Sequence, residues 1–180
     1  MIGKSLITEA YRAEQERLHM DPDYGTASVS YAKMVESIIN RLQVSQLLDY
    51  GCGKARLMRA IKPAHAVKYQ CYDPAIPGMA GTPIPMQMVT CIDVLEHVEP
   101  ECLDNVLDDL VRVTEVIGFF TVCTEPAEKE LADGRNAHLI QQPPEWWLPK
   151  FMERFELHTF QAVPNGFFVI VYRKKSEILQ

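Results

Sequence analysis

The sequence predicts an α/β fold in which buried strands alternate with amphipathic helices and the chain closes in a C-terminal antiparallel hairpin. Three observations carry that expectation. A short apolar strand, Gln46 to Tyr50, runs into a turn holding Gly51 and Gly53, and a helix follows over Ala55 to Ile61. A second apolar run, Val67 to Tyr72, ends in Asp73, twenty-four residues after Asp49. Near the C-terminus, Phe155 to Val163 and Phe167 to Arg173 are joined by Pro164-Asn165-Gly166, and Asn-Gly is a strong hairpin signal.

The remaining elements fit this frame. Ile7 to Met20 reads as a mostly polar helix, broken by Asp21-Pro22-Asp23-Tyr24-Gly25. Tyr31, Met34, Val35, Ile38, Ile39 and Leu42 then fall on one helical face, with Ser28 or Ser30 as the expected N-cap. Between Asp73 and Pro85 the chain is rich in Gly and Pro and has no helical pattern. Met88 to Ile92 is a buried strand, and Asp93-Val94-Leu95-Glu96-His97-Val98 continues from it. Leu103, Val106, Leu107, Leu110 and Val111 mark an amphipathic helix with Pro100 at its opening. Gly118 to Thr124 is a further strand, rich in β-branched and aromatic residues. Pro143-Pro144 is placed to start a helix carrying Trp146 and Trp147.

With 180 residues, 47% of them hydrophobic, the chain suits a single domain with a real core, spanning 1–180. No run of eighteen apolar residues occurs, and Met1-Ile2-Gly3-Lys4 leads into polar sequence, so neither a membrane span nor a signal peptide is expected. A net charge of −6 predicts poor nonspecific affinity for nucleic acid; the one dense basic run, Arg173-Lys174-Lys175, reads as a solvated strand end. Of five cysteines, Cys71, Cys91 and Cys123 fall in strands, Cys52 in the glycine turn and Cys102 in a helix. None forms a Cys-x-x-Cys pair, which predicts reduced thiols and a cytoplasmic protein. A cysteine nucleophile remains an alternative.

The glycine turn admits several ligands. A phosphate-binding loop needs Gly-Lys-Ser/Thr after a four-residue gap, and Gly53-Lys54-Ala55 has neither hydroxyl nor gap. A dinucleotide fingerprint needs a third glycine where Arg56 stands. An acid shortly before Gly-x-Gly favours a ligand carrying positive charge, and S-adenosylmethionine has an ammonium and a sulfonium. Asp49-Tyr50-Gly51-Cys52-Gly53 resembles the first motif of class I S-adenosylmethionine-dependent methyltransferases, with Ala55 in place of their usual third glycine. A βα turn without a ligand stays open beside it.

The resemblance covers about Tyr31 to Thr124 and implies a doubly wound, mostly parallel sheet with helices on both faces. The short Asp73 to Pro85 interval cannot hold the family's usual helix and strand, so the sheet is expected to be reduced between the family's second and fourth strands. It also implies S-adenosylmethionine as cofactor, bound by Asp49, Tyr50, Gly51, Cys52, Gly53, Asp73, Pro74, Asp93 and Val94, with Asp73 on the ribose hydroxyls. Pro74, Ile76 and Pro85 would wall the adenine. The N-terminal segment, residues 1–27, would form a lid, with Tyr24 and Tyr31 as lid residues or simple packing.

Ligands bind beyond the carboxyl ends of the strands in such sheets, so Asp93 and the loop after Thr124 should face the acceptor. Residues 125–150 form the expected substrate loop and helix. There, His138 is a candidate general base and Arg135 a candidate clamp for a carboxylate or phosphate. Asp93, Glu96, His97 and His138 also resemble the metal site of small-RNA 3′-end 2′-O-methyltransferases, a donor set suited to Mg²⁺ or Mn²⁺. Helix capping and core packing account for the same four residues without a metal. The expected activity is methyl transfer to an unidentified small molecule or exposed macromolecular group. The alternatives are a cofactor-binding module without transferase activity and a metal-dependent RNA methyltransferase.

Overall fold

A computed structural model describes residues 5–175. Met1 to Lys4, on which the reading of the N-terminus rested, lie outside the described residues.

Six strands form one sheet. β1 (Gln46–Tyr50), β2 (Lys68–Tyr72), β3 (Met86–Ile92) and β4 (Thr114–Cys123) are mutually parallel, whereas β5 (Phe155–Val163) and β6 (Gly166–Arg173) form an antiparallel hairpin. The order across the sheet is β2-β1-β3-β4-β6-β5, with β6 antiparallel to β4. The chain therefore reverses direction across the sheet beside β1, where β2 lies on one side and β3 on the other. No strand lies beyond β2, so the expected reduction on that side is present among the described residues.

Helices cover both faces because strand residues alternate between them. Leu48, Val89, Phe120 and Phe167 point to one face, where α4 (Leu103–Val113) and α5 (Pro144–Arg154) pack through Val106, Leu107, Leu110, Trp147 and Phe151. Leu47, Met88, Phe119 and Phe168 point to the other, against α2 (Ala32–Leu42) and α3 (Arg56–Ala60). α1 (Glu9–His19) touches neither core. Its Tyr11 and Leu18 pack on Leu131 and Ala137, from the segment that follows β4.

Several local expectations need correction. A 3-10 turn, Ala27–Tyr31, precedes α2, and Tyr31 occupies the N-cap with no side-chain bond; Ser30 Oγ instead donates to the Ala27 carbonyl. The buried face of α2 is Ala32, Val35 and Ile39, while Met34 and Leu42 are exposed, because the helix meets the sheet along a narrower stripe than the pattern suggested. The first helix after the glycine turn begins at Arg56, since Ala55 is left-handed. β4 starts at Thr114, directly after α4; Thr114 is buried, and the next two residues, Glu115 and Val116, are exposed. In the hairpin, Gly166 is the first residue of β6 rather than part of the turn. A Cβ there would lie 2.1 Å from the Val122 carbonyl oxygen, so only glycine lets β6 close on β4.

Candidate functional site

The carboxyl ends of β1, β2 and β3 open onto a single cleft, roofed by α1 and the loop after it. From β1 and its turn come Asp49, Tyr50, Gly51, Cys52 and Gly53; Asp73 and Pro74 follow β2, and Asp93 and Val94 follow β3. All nine residues singled out in the sequence line this cleft. Of the three residues expected to wall an adenine, Pro74 lines it, together with Ala75; Ile76 and Pro85 do not.

The turn is held by backbone geometry. The Tyr72 carbonyl accepts from Gly51 N at 2.7 Å and from Cys52 N at 3.0 Å. Gly51 has φ +73°, and a Cβ on it would meet Val94 Cγ2 at 2.4 Å, so β1 and the segment after β3 approach each other only because the side chain is missing. Asp73 Oδ2 accepts from Gly53 N at 2.9 Å and its Oδ1 from Ala75 N at 2.9 Å. Asp93 sits at φ +58°, a conformation that costs about 1–3 kcal/mol for a residue with a side chain. Its N–H donates to Thr121 Oγ1 at 3.0 Å, which ties the end of β3 to β4.

Asp49 is the most telling group. Thr90 Oγ1 donates to its Oδ1 at 2.9 Å, but its Oδ2 is buried without a partner. Burial pushes its carboxyl pKa up to about 6, with Thr90 opposing and Asp73 adding to the rise. A buried carboxylate oxygen of this kind lacks a cation or donor, and the cleft is where one can be supplied.

Across the cleft, Tyr24 lies edge-on to His19 and His97, with ring centroids 5.2 and 6.1 Å away. Its hydroxyl donates to Gln15 Oε1, and Gln15 Nε2 reaches the Tyr11 hydroxyl, which donates to the His97 carbonyl at 2.6 Å. Tyr24 thus belongs to the roof. Tyr31 does not; it packs on Phe119 at the opposite face of the sheet, with ring centroids 5.7 Å apart. His19 Nε2 stands 3.8 Å from Asp73 Oδ2, and burial lowers its pKa.

His97 also lines the cleft, although the sequence argued for it only as a metal ligand. Its Nδ1 is 2.8 Å from the Ala137 carbonyl. A carbonyl only accepts, so Nδ1 carries the hydrogen and Nε2 keeps a lone pair. Enclosure on every side but the cleft lowers its pKa to about 4, against the pull of Asp93, so the ring is neutral. The signal for this role was present in the Glu96-His97 pair, but the sequence did not reveal which ring faces the cleft.

Neither His138 nor Arg135 is among the residues lining the cleft. His138 is buried behind His97, ring centroids 4.6 Å apart, with Nδ1 2.6 Å from the Glu125 carbonyl. Arg135 is exposed and pairs with Asp133 at 2.7 Å across the left-handed turn at Gly134. That local partner satisfies the guanidinium before it can fold back over the opening.

The four residues considered for a metal are neighbours, with the His97 and His138 rings in contact and Asp93 beside Glu96 and His97, but they do not form one ligand group. The donor atoms that converge, all within 4.8 Å of one another, belong to Glu96, Cys123 and His138. Glu96 is fully buried; its Oε1 accepts from Cys123 N at 2.6 Å and its Oε2 has no partner. Burial, then the neighbouring Asp93, holds its carboxyl well above the usual range.

No protein-family model and no curated protein matches the chain. Solved structures do. The 1,6-didemethyltoxoflavin-N1-methyltransferase of Burkholderia thailandensis, crystallised with its substrate and S-adenosylhomocysteine, superposes with a TM-score of 0.68 at 13% identity over 92% of this chain and 88% of that one. An O-methyltransferase family protein from the same organism gives 0.64 at 10% identity over 96% of this chain, which spans 64% of that protein. The small RNA methyltransferase HEN1 gives 0.62 at 11% identity over 85% of this chain, which spans 26% of HEN1. The chain therefore has the fold of the class I S-adenosylmethionine-dependent methyltransferases. No described helix is long and apolar enough to cross a membrane.

Proposed function

We propose that the protein is an S-adenosylmethionine-dependent methyltransferase. The observation that carries this reading is the convergence of Asp49, Asp73 and Asp93 on one cleft around the Gly51 turn, with Asp49 Oδ2 buried and unpartnered. That chemistry suits a ligand with positive charge at one end and hydroxyls further along. Asp49 answers the charge of the methionine end. Asp73, already held by two backbone N–H groups, has lone pairs left for the ribose hydroxyls. Pro74 and Val94 supply apolar walls.

When bound, the cofactor supplies an electrophilic methyl on sulfur. The protein's part is alignment and exclusion of water: Tyr24 and α1 roof the cleft, and the strand ends form its floor. A neutral His97, with its Nδ1–H fixed on Ala137 and its Nε2 lone pair available, suits the removal of a proton from an acceptor hydroxyl or amine. His138 sits behind it as an orienting ring. Isothermal titration with S-adenosylmethionine, followed by product analysis over an acceptor panel, tests the reading. Asp73→Ala should weaken binding by about 1.5–3 kcal/mol. Tight binding without turnover would favour a cofactor-binding module, and unchanged affinity in Asp73→Ala would remove the ribose assignment.

A second reading is supported by the convergence of Glu96, Cys123 and His138. A divalent ion held there would be a structural ion behind the cleft, since none of the three donors is among the residues lining it. One thiol, one imidazole and one carboxylate form a softer set than was expected, better matched to Zn²⁺ than to Mg²⁺. Melting in excess Mn²⁺ and in excess Zn²⁺ separates the cases: no rise with either ion leaves Glu96 and His138 as structural groups.

A further inference from the structure

Beside the cleft lies a second, smaller opening. Gly53 and Ser28 line the cleft; the residues directly after them, Lys54 and Val29, line a surface groove together with Arg56, Arg59 and Ala60. Local geometry gathers the three cations. Ala55, left-handed at φ +55°, turns the chain into α3. Arg56 and Arg59 are then three residues apart, neighbours on the helix surface, while Leu57 enters the core. The 3-10 turn Ala27–Tyr31 contributes the apolar wall through Val29.

Three positive charges on one groove stand out in a chain of net charge −6. Like charges held together repel, and an acid among them would offset this. Among the described residues, none of the three pairs with a carboxylate; their partners are backbone carbonyls. Lys54 Nζ donates to the carbonyls of Asp21 and Tyr24, Arg56 Nη2 to that of Pro22, and Arg59 Nη2 to that of Lys54. Acids on the adjoining elements are engaged elsewhere. Asp21 Oδ1 accepts from Asp23 N at 2.9 Å and its Oδ2 from Lys129 Nζ at 2.7 Å, and Glu36 Oε2 on α2 accepts from Lys62 N at 2.8 Å. A guanidinium has five N–H donors, and each arginine uses one here. Arg56 Nε is buried and has no acceptor at all. A buried donor left unmet is destabilising, and a bound anion would satisfy it.

We propose that this groove binds the phosphate group of a small phosphate ester. A phosphate carries up to two negative charges and three acceptor oxygens, which two guanidinium forks and an ammonium can share. A carboxylate, with one charge, would leave part of the cluster unanswered. The patch suits one phosphate and no longer chain of them: a polynucleotide needs cations along its whole backbone, and these three stand within six residues of one another. S-adenosylmethionine has no phosphate and its proposed ligands lie in the cleft, so the groove stands or falls independently of the cofactor reading.

Isothermal titration with inorganic phosphate and with glycerol phosphate, at an ionic strength held constant with chloride, tests the site. Wild type should bind one equivalent of either with a Kd of about 1 mM or tighter. Arg56→Gln should weaken binding at least about tenfold. Arg59→Gln should do so at least about fivefold, and its exposed position keeps the test valid if Arg56→Gln fails to fold. Lys150→Gln removes the same charge from α5, across the sheet from α3, and should change nothing. No binding of either probe, or an equal loss in Lys150→Gln, would overturn the site. Saturating S-adenosylmethionine should leave the phosphate isotherm intact; its abolition would place the phosphate in the cleft and overturn the groove. A single-stranded oligonucleotide that displaces phosphate and binds at least about a hundredfold more tightly would replace the small ester by nucleic acid.

Discussion

The floor of the cleft and its roof are built by different means. On the floor, Gly51, Cys52, Gly53 and Asp93 are fixed through backbone N–H groups to Tyr72, Asp73 and Thr121, at the ends of strands already locked in a ladder. In the roof, α1 and the segment from Ala127 to Leu139 share a small apolar cluster of their own. They are joined by side-chain contacts between residues far apart in the chain, Lys129 with Asp21 and Glu14 with Ala132 N. A ladder ties many groups into one cooperative unit, whereas a few exposed side-chain contacts can be released singly. The floor is therefore suited to holding a ligand in register, and the roof to opening for one.

Glycine substitutions test this contrast most severely. Gly51→Ala should cost about 2–4 kcal/mol of folding stability and abolish cofactor binding, because the new Cβ meets Val94 in a left-handed turn. Gly134→Ala, in the roof, has φ +83° but nothing within 4 Å of the added Cβ, so only the backbone cost of about 1 kcal/mol applies. Urea melts of the two variants should separate clearly; equal losses would mean that the floor is no more tightly specified than the roof.

Asp49→Asn sharpens the floor's chemistry. It should weaken S-adenosylmethionine binding by about 2–3 kcal/mol while raising the melting temperature of the free protein above pH 7. The pH dependence follows from the same group. Its carboxyl is raised to about 6 in the folded chain from an ordinary 3.8, so the native state holds the proton more tightly than the unfolded state. Stability should then fall as pH rises from about 4 through about 6, by roughly 3 kcal/mol from this group, and level off above. Cofactor affinity should run the other way, about tenfold weaker at pH 5 than at pH 7.5, because the cation needs the ionised form. Calorimetry at both values checks this, and Asn at position 49 should remove both slopes.

His97→Ala should leave cofactor affinity within about 0.5 kcal/mol and lower turnover about 10²–10⁴-fold once an acceptor is in hand. Loss of affinity instead would move His97 from the acceptor side to the cofactor side. The smallest effect is expected for Arg135→Ala, whose charged partner among the described residues is Asp133 in the same exposed turn. Cofactor affinity and turnover should both match wild type; a loss of turnover would return Arg135 to the acceptor site.

Local sequence alone determined most of the floor. A strand that ends beside Gly-x-Gly and a second that ends in an acid suffice to place Asp49, Gly51 and Asp73, because strand, turn and carboxylate lie within a few residues of one another. The hairpin was equally legible from Asn165-Gly166. Tertiary structure decided the roof. Nothing near Tyr11 indicates that it packs on Leu131 and Ala137, nor that its hydroxyl meets the His97 carbonyl, since those partners are brought in by the return of the chain after β4. Arg135 and His138 looked like acceptor-site groups by position along the chain. Their placement depended instead on which partner was nearest in space, Asp133 for one and the Glu125 carbonyl for the other.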